Sequence, residues 1–519
     1  MNKKKLLWLP LSAVFLLSAA CFASCNNQGE DNPPPTETKY GLKPTEAVKL
    51  PEDGFRTTDV AVHDPSIFQD PKSGKYYAFG SHFMVASSRD LIEWDQEVGD
   101  GSSESNGQKQ AQELYGSGVN WRTVLAESVK HAGSGMPSTW APDVNYHDGK
   151  YYMYYSLTSA FGSNKSVIGR VSSDNVLGPY ANEQIIKTSP GTDAKQPNCI
   201  DPELFEDKDG GLWMVYGSHF GGIYILELEN SGVNWGLPKE NSANNALNDG
   251  FGKKVWNGAR NGQTASTGAN RVVEGPFVFY NNLTDYYYLM TTYGDLNTDY
   301  NMHVARSRNP DGPYTDVTGV DMATLENAGT TGGNKIAGNY KFARQGNDAQ
   351  GYGALGHNSV IKDKDGKYFV VYHTRRQRGE TVTAGHNLNV NQLFFNEDGW
   401  PVMSPVCYEG ETFGTVEEAA LAATYEFVIH AAETKVDMVL SQDYELTAEK
   451  KVVSGGKEVG AWSLKDGYYI SLTIDSKEYK GVVVPGWDMY ARSASQEGRL
   501  CITAVSSEGV ALWGIEGKV

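Results

Sequence analysis

Four ionisable residues sit at or beside one phase of a repeated pattern. They are Asp64, Asp201, Glu274 and His357, in the steps His63-Asp64-Pro65, Ile200-Asp201-Pro202, Glu274-Gly275-Pro276 and Gly356-His357-Asn358. A fifth step, Trp140-Ala141-Pro142, carries an aromatic ring instead. Taken singly, an Asp-Pro or Glu-Gly step is an ordinary turn signal. Repeated in one phase, such steps are candidates for a convergent carboxylate cluster, and clustered acids raise the proton affinity of one of their number. One protonated acid can then give its proton to a leaving oxygen while an ionised one activates water or attacks directly, which is what breaking a glycosidic bond requires. A third acid keeps the first protonated by repulsion. Trp140 offers an apolar face for a sugar ring, and it serves equally well as a core residue.

The elements that must position these residues repeat along the chain. Asp64–Ser81, Pro142–Ser156, Asp201–Ser218, Gly275–Tyr293 and His357–His373 each read as a short apolar strand, a turn and an aromatic-rich strand. The turns are Ser73-Gly74, Asp148-Gly149, Asp209-Gly210, Asn281-Asn282 and Asp365-Gly366, which supply the positive φ of a tight hairpin. Traces of a second hairpin follow most repeats, as in Ser87–Trp94, Ser172–Tyr180, Tyr224–Trp235 and Arg306–Tyr314. Two hairpins per unit make a four-stranded sheet, and radial repetition protects its edges. The expected fold is all-β: a five-bladed β-propeller over residues 51–409, with a small barrel-like all-β domain over 410–519. A β-sandwich built of similar hairpins is the alternative. In a propeller the first strand of each blade lines the channel, so Asp64, Asp201, Glu274 and His357 should face one another with Trp140 beside them. Gln108–Val129 breaks the β rhythm and reads as a short helix in an insertion between blades. In the appended domain Tyr425–His430, Lys435–Leu440, Tyr468–Ile474 and Leu500–Val505 read as strands.

Composition sets the outer bounds. The chain has 519 residues, 57 of them glycine and 30 tyrosine, which favours short strands and tight turns over helix bundles. A formal net charge of −18 argues against binding nucleic acid or anionic lipid, and leaves a neutral polysaccharide open. Lys3, Lys4 and Lys5 precede an apolar run from Leu6 to Ala20, the pattern of a signal peptide. Small residues then lead into Cys25, or alternatively Cys21, as in a bacterial lipoprotein signal over 1–25; plain secretion is the simpler alternative. Residues 26–50 contain Pro33, Pro34 and Pro35 and read as a flexible tether. Membrane contact is expected only through that N-terminal lipid. Glu30 and Asp31 resemble the acidic stretch that accompanies export of some lipoproteins to the cell surface of the outer membrane. Cys199, Cys407 and Cys501 form neither a disulfide framework nor a zinc pattern.

At these residues the chain resembles glycoside hydrolase family 43, and within it the endo-1,5-α-L-arabinanases. The motifs are His63-Asp64-Pro65-Ser66, Thr139-Trp140-Ala141-Pro142-Asp143, Asn198-Cys199-Ile200-Asp201-Pro202, Val273-Glu274-Gly275-Pro276, Gly356-His357-Asn358-Ser359-Val360, Tyr372-His373-Thr374-Arg375 and Asp398-Gly399-Trp400-Pro401-Val402. The resemblance implies an inverting hydrolase of arabinan or arabino-oligosaccharides with Asp64 as general base, Glu274 as general acid and Asp201 tuning the acid. It implies one divalent metal, usually taken as calcium, near His357. It places Gly162, Asn198 and Ser218 against sugar alongside Trp140. His219 and Phe220 occupy substrate-binding positions where related arabinanases often carry Phe-Trp. The C-terminal region resembles the small β-barrel of some extracellular arabinanases, best at Leu512-Trp513-Gly514-Ile515-Glu516. An exo-acting α-L-arabinofuranosidase or β-xylosidase of the same family, and a non-catalytic glycan-binding lipoprotein, are the alternatives.

Overall fold

The computed structural model describes residues 57–517 apart from 194, 259–272, 326–331, 347–349, 379–380, 383–384, 434–437 and 491–497. The expected signal, the tether and Cys25 lie outside the described residues. Four sheets of four sequential antiparallel strands begin at His63–Gln69, Trp140–His147, Glu203–Glu206 and Val273–Asn281. The fifth blade is built on Gly351–Lys362, Tyr368–Arg378, Asn387–Phe395 and Pro401–Cys407. The ring closes where the segment before the first strand meets the last blade: Thr58 Oγ1 donates to Leu388 O at 2.8 Å and Leu388 N to Val60 O at 3.0 Å.

The aromatic strands owe their composition to burial on both faces. In Tyr76–Ser81, Tyr76 and Ala78 pack towards blade 5 with Phe369 and Val390, whereas Tyr77 and Phe79 pack towards blade 2 with Val144 and Tyr151. Tyr286–Tyr293 repeats this: Tyr287 and Leu289 face blade 3, and Tyr288 and Met290 face blade 5. The period of two thus feeds two interblade cores at once. The insertion forms three helices, Glu104–Tyr115, Trp121–Val124 and Ala126–Ala132. Leu114, Trp121 and Leu125 enter the core between blades 1 and 2, with the Trp121 ring edge-on to Phe83 at 5.6 Å.

Eight antiparallel strands from Thr424–Ile429 to Ala511–Glu516 close a barrel, with Tyr425 opposite Glu516. Its interior is filled by side chains including Tyr425, Phe427, Trp462, Leu472 and Leu512. One expected strand is displaced. Val439–Leu440 leaves the barrel and pairs in parallel with Tyr340–Lys341 of the propeller; Lys435 to Asp437 lie outside the described residues. Arg344, 4% exposed at its side chain, fastens the two domains by pairing with Glu426 at 3.0 Å and Asp488 at 2.9 Å.

Candidate active site

Each blade presents its leading residue to the channel in the same unusual way. Asp64, Ala141, Asp201, Gly275 and His357 all have positive φ, at 54°, 35°, 55°, 56° and 47°. Non-glycine residues pay about 1–2 kcal/mol for that conformation, and such strain gathers at functional sites. In blades 1, 2, 4 and 5 the ladder also slips just after the kink, at His63/Ser66, Trp140/Asp143, Glu274/Phe277 and Gly356/Ser359. A bulge there bends the strand and re-aims its side chains. Neighbouring blades hold the kinked backbone. Ala141 N donates to Ser81 Oγ at 2.8 Å, Asp201 N to Ser156 Oγ at 2.9 Å, His357 N to Thr292 Oγ1 at 2.7 Å and Asp64 N to His373 Nδ1 at 3.1 Å.

These kinks bring Asp64, Asp201, Glu274 and His357 together. Asp64, 9% exposed, accepts from Ser81 Oγ at 2.5 Å, and its Oδ1 lies 3.1 Å from His357 Nδ1 and 3.2 Å from His63 Nε2. Burial works to raise its pKa, but His357 and His63 outweigh it and hold the carboxylate ionised, well below its usual range. Burial likewise opposes charge on His357; Asp64, Asp201 and Glu274 overcome it and push the imidazole up to about 9. His63 is driven down to about 4 by burial despite Asp64, so it stays neutral.

Glu274 is held by three donors. Tyr300 Oη donates to Oε1, Ser218 Oγ to Oε2 at 2.9 Å, and His219 Nε2 lies 3.0 Å from Oε2. Burial favours the acid form of Glu274, but His219, His357 and Ser218 prevail and lower its pKa. Asp201 moves the other way. Burial, with Glu274 and Asp64 adding and His357 opposing, lifts it to about 7. Gly275 N donates to Asp201 Oδ2 at 3.1 Å, tying Asp201 to the backbone directly behind Glu274. The two carboxyls are thus pushed in opposite directions and titrate as a pair that shares one proton.

The other expected contacts divide. Trp140 is half-buried and lies edge-on to Phe161 at 6.1 Å; Phe161 is 75% exposed, and Gly162 beside it is open. These form an aromatic corner that a sugar can reach. Asn198 is buried, and Phe220 is half-buried in the turn after His219. Ser218 is fully buried, so in this structure it orients Glu274. His219 also reaches Glu274.

Tyr300 was not legible, because it precedes Asn301–Ser307 outside every repeat. Ser81 and Ser218 did carry a signal: Gly80-Ser81-His82-Phe83 and Gly217-Ser218-His219-Phe220 are the same tetrapeptide in two blades, and each serine caps a carboxylate. Two further buried acids belong to the architecture. Asp143 Oδ2 accepts from Leu204 N at 2.9 Å and Glu203 Oε2 from Val278 N at 3.0 Å, each clasping the next blade.

Two groups invite a metal test. Hydrogen bonding of His357 Nδ1–H to Asp64 fixes the ring. A cation that displaces the Nε2 proton of the charged imidazole would find Nε2 as its ligand atom, the usual arrangement for a metal-binding histidine. His357 lines a pocket with Asp201, Glu203 and Asn358, and both amide atoms of Asn358 are buried there without a protein partner. The Asn358 oxygen and the carboxylate field fit a hydrated divalent cation. His63, His373 and His386 also place ring nitrogens within 4.8 Å of one another. Their tautomers do not fit. Asp64 N donates to His373 Nδ1 and Arg375 Nη2 to His386 Nε2, so the remaining nitrogen of each ring carries a hydrogen.

Residues 57–401 match the model of Glycosyl hydrolases family 43, and residues 405–514 match that of a C-terminal lipocalin-like domain. The chain is 36% identical over 480 residues to extracellular endo-α-(1→5)-L-arabinanase 2 of Bacillus subtilis, covering 88% of this chain and 93% of that protein. It is 27% identical over 358 residues to an extracellular exo-α-(1→5)-L-arabinofuranosidase of Cellvibrio japonicus, covering 66% of this chain and 86% of that one. The crystal structure of endo-1,5-α-L-arabinanase from Thermotoga petrophila superposes with a TM-score of 0.76 at 35% identity, covering 89% of this chain and 99% of that one.

Proposed function

The chain belongs to glycosyl hydrolase family 43, and from that premise we propose that it hydrolyses internal α-1,5-L-arabinofuranosidic linkages of arabinan with inversion. The observation that carries this reading is the convergence of Asp64, Asp201 and Glu274 on His357 at one end of the channel, within a chain whose endo-acting relatives match both of its domains. Asp64, held ionised, takes a proton from water as that water attacks the anomeric carbon. The glycosidic C–O bond breaks, its electron pair stays on the leaving oxygen, and Glu274 supplies that oxygen's proton. Asp201 and Glu274 share one proton: when it sits on Glu274, the ionised Asp201 behind it makes that proton costly to lose to solvent and keeps it available for the leaving oxygen. Digestion of linear arabinan should yield a ladder of oligosaccharides early in the reaction. Arabinose alone from the first minutes would establish exo cleavage.

The metal site is part of the proposal. His357, with Asn358 and water, would hold a divalent cation, calcium being the usual occupant in related arabinanases. When bound, the ion adds positive charge beneath the sugar, while His357 keeps Asp64 in place. Chelation should lower both the melting temperature and the rate, and calcium should restore them. His357→Ala should lose stoichiometric metal by elemental analysis; full metal content in that variant would remove His357 from the site.

The extracellular relatives support secretion; lipidation at Cys25 and attachment to the outer membrane are our reading of the Ala23-Ser24-Cys25 sequence alone. Metabolic labelling with an alkyne fatty acid should mark the wild type and not Cys25→Ala. Label retained in that variant would refute Cys25 as the anchor.

A further inference from the structure

We propose that His219 is a positioning residue for the general acid, and that it sets the upper pH limit of the reaction by donating Nε2–H to Glu274. This rests on the reading of Glu274 as the acid. The turn that carries His219 is built to hold that contact. His219 and Phe220 both adopt positive φ, at 47° and 23°, between Gly217 and Gly222, which do the same. Gly222 N donates to His219 O at 2.8 Å and closes the turn. His219 N donates to Val273 O at 2.7 Å, and Gly217 N to Ile200 O at 2.9 Å. Val273 directly precedes Glu274, and Ile200 directly precedes Asp201. The turn is therefore pinned to the backbone of both acids, which sets the His219 main chain at a fixed place from which Nε2 reaches Glu274.

The twin turn in blade 1 separates the scaffold from the chemistry. His82 and Phe83 have φ of 64° and 66°, and His82 N donates to Thr139 O at 2.9 Å, one residue before Trp140. The backbone design is the same, but blade 2 offers Trp140 where blade 4 offers Glu274. The His82 ring accordingly turns to Ser138 Oγ at 2.8 Å. Of these two turn histidines, His219 is the one in contact with a carboxylate.

The consequence follows from charge. Ser218 and Tyr300 also donate to Glu274, and His357 and Asp201 act on it through space. A hydroxyl can rotate to accept once the carboxyl is protonated, whereas Nε2–H can only stabilise the ionised form. His219, with 21% of its side chain exposed, thus makes Glu274 give up its proton at lower pH than Ser218 and Tyr300 alone would require.

The test is the pH dependence of kcat/KM on arabinan for wild type, His219→Phe and His219→Gln, each scaled to its own plateau. The alkaline limb should move up by about one pH unit in His219→Phe and stay near wild type in His219→Gln, which keeps an N–H donor. Carbon-13 NMR of the Glu274 carboxyl, assigned by its loss in Glu274→Gln, should show the same upward movement in the folded protein. An unmoved limb and an unmoved carboxyl titration in His219→Phe overturn the proposal. So does a raised KM with the limb in place, which would make His219 a sugar contact. Full activity in Glu274→Gln would instead remove the acid assignment itself.

Discussion

Glu274→Gln is expected to slow cleavage of linear arabinan by about 10²–10⁴-fold. The amide keeps the shape of the side chain: its oxygen can take the Oε2 place beside Ser218 and His219, and its NH2 can donate to the Tyr300 hydroxyl, so binding of the polymer should survive. What it lacks is a proton to give. The loss should therefore depend on the leaving group. An aryl arabinofuranoside whose phenolate departs without protonation should lose far less than arabinan. Equal losses on the two substrates would show that Glu274 acts in some way other than as the acid.

Asp64→Asn is expected to cost a similar factor, about 10²–10⁴-fold, without that selectivity. Activation of water is needed whatever leaves. The carboxylate is kept ionised by His357 at 3.1 Å and His63 at 3.2 Å, with Ser81 donating to its other oxygen. An amide there removes the base and takes away the strongest charge holding His357 positive. Parallel losses on arabinan and on the aryl substrate, with binding retained, support this role. A loss confined to arabinan would contradict it.

The propeller was legible because its strands are buried on both faces and its turns need positive φ, so each blade writes the same aromatic strand and three of the five write an Asp-Gly turn; in blade 4 the positive φ falls at Asp285 rather than at the expected Asn281-Asn282. The convergence of Asp64, Asp201, Glu274 and His357 was legible because these residues are ionisable and share a phase. What the residues could not reveal was the kink that aims them, since positive φ at Asp64 or Ala141 has no sequence signature of the kind glycine gives Gly275. Tyr300 was hidden for another reason: it belongs to no repeat, yet it caps Glu274 and stacks on His373 at 5.6 Å. Asp143 and Glu203 are the converse case. Both are buried acids near the channel, and each accepts from the next blade's backbone, Asp143 also from Ser66 of the blade before it. The insertion was readable as helical from its spaced apolar residues, but it continues past Val129 to Ala132 and starts at Glu104. Lys435–Leu440 looked like a barrel strand because alternation does not say which sheet an edge will join.

Proton NMR of the first products from linear arabinan addresses the arrangement as a whole. Water delivered by Asp64 to the face opposite the bond that Glu274 protonates must release the new reducing end as the β-anomer, with the α-anomer appearing only as the sugar mutarotates. If the α-anomer appears first, the two carboxylates do not work on opposite faces of one sugar.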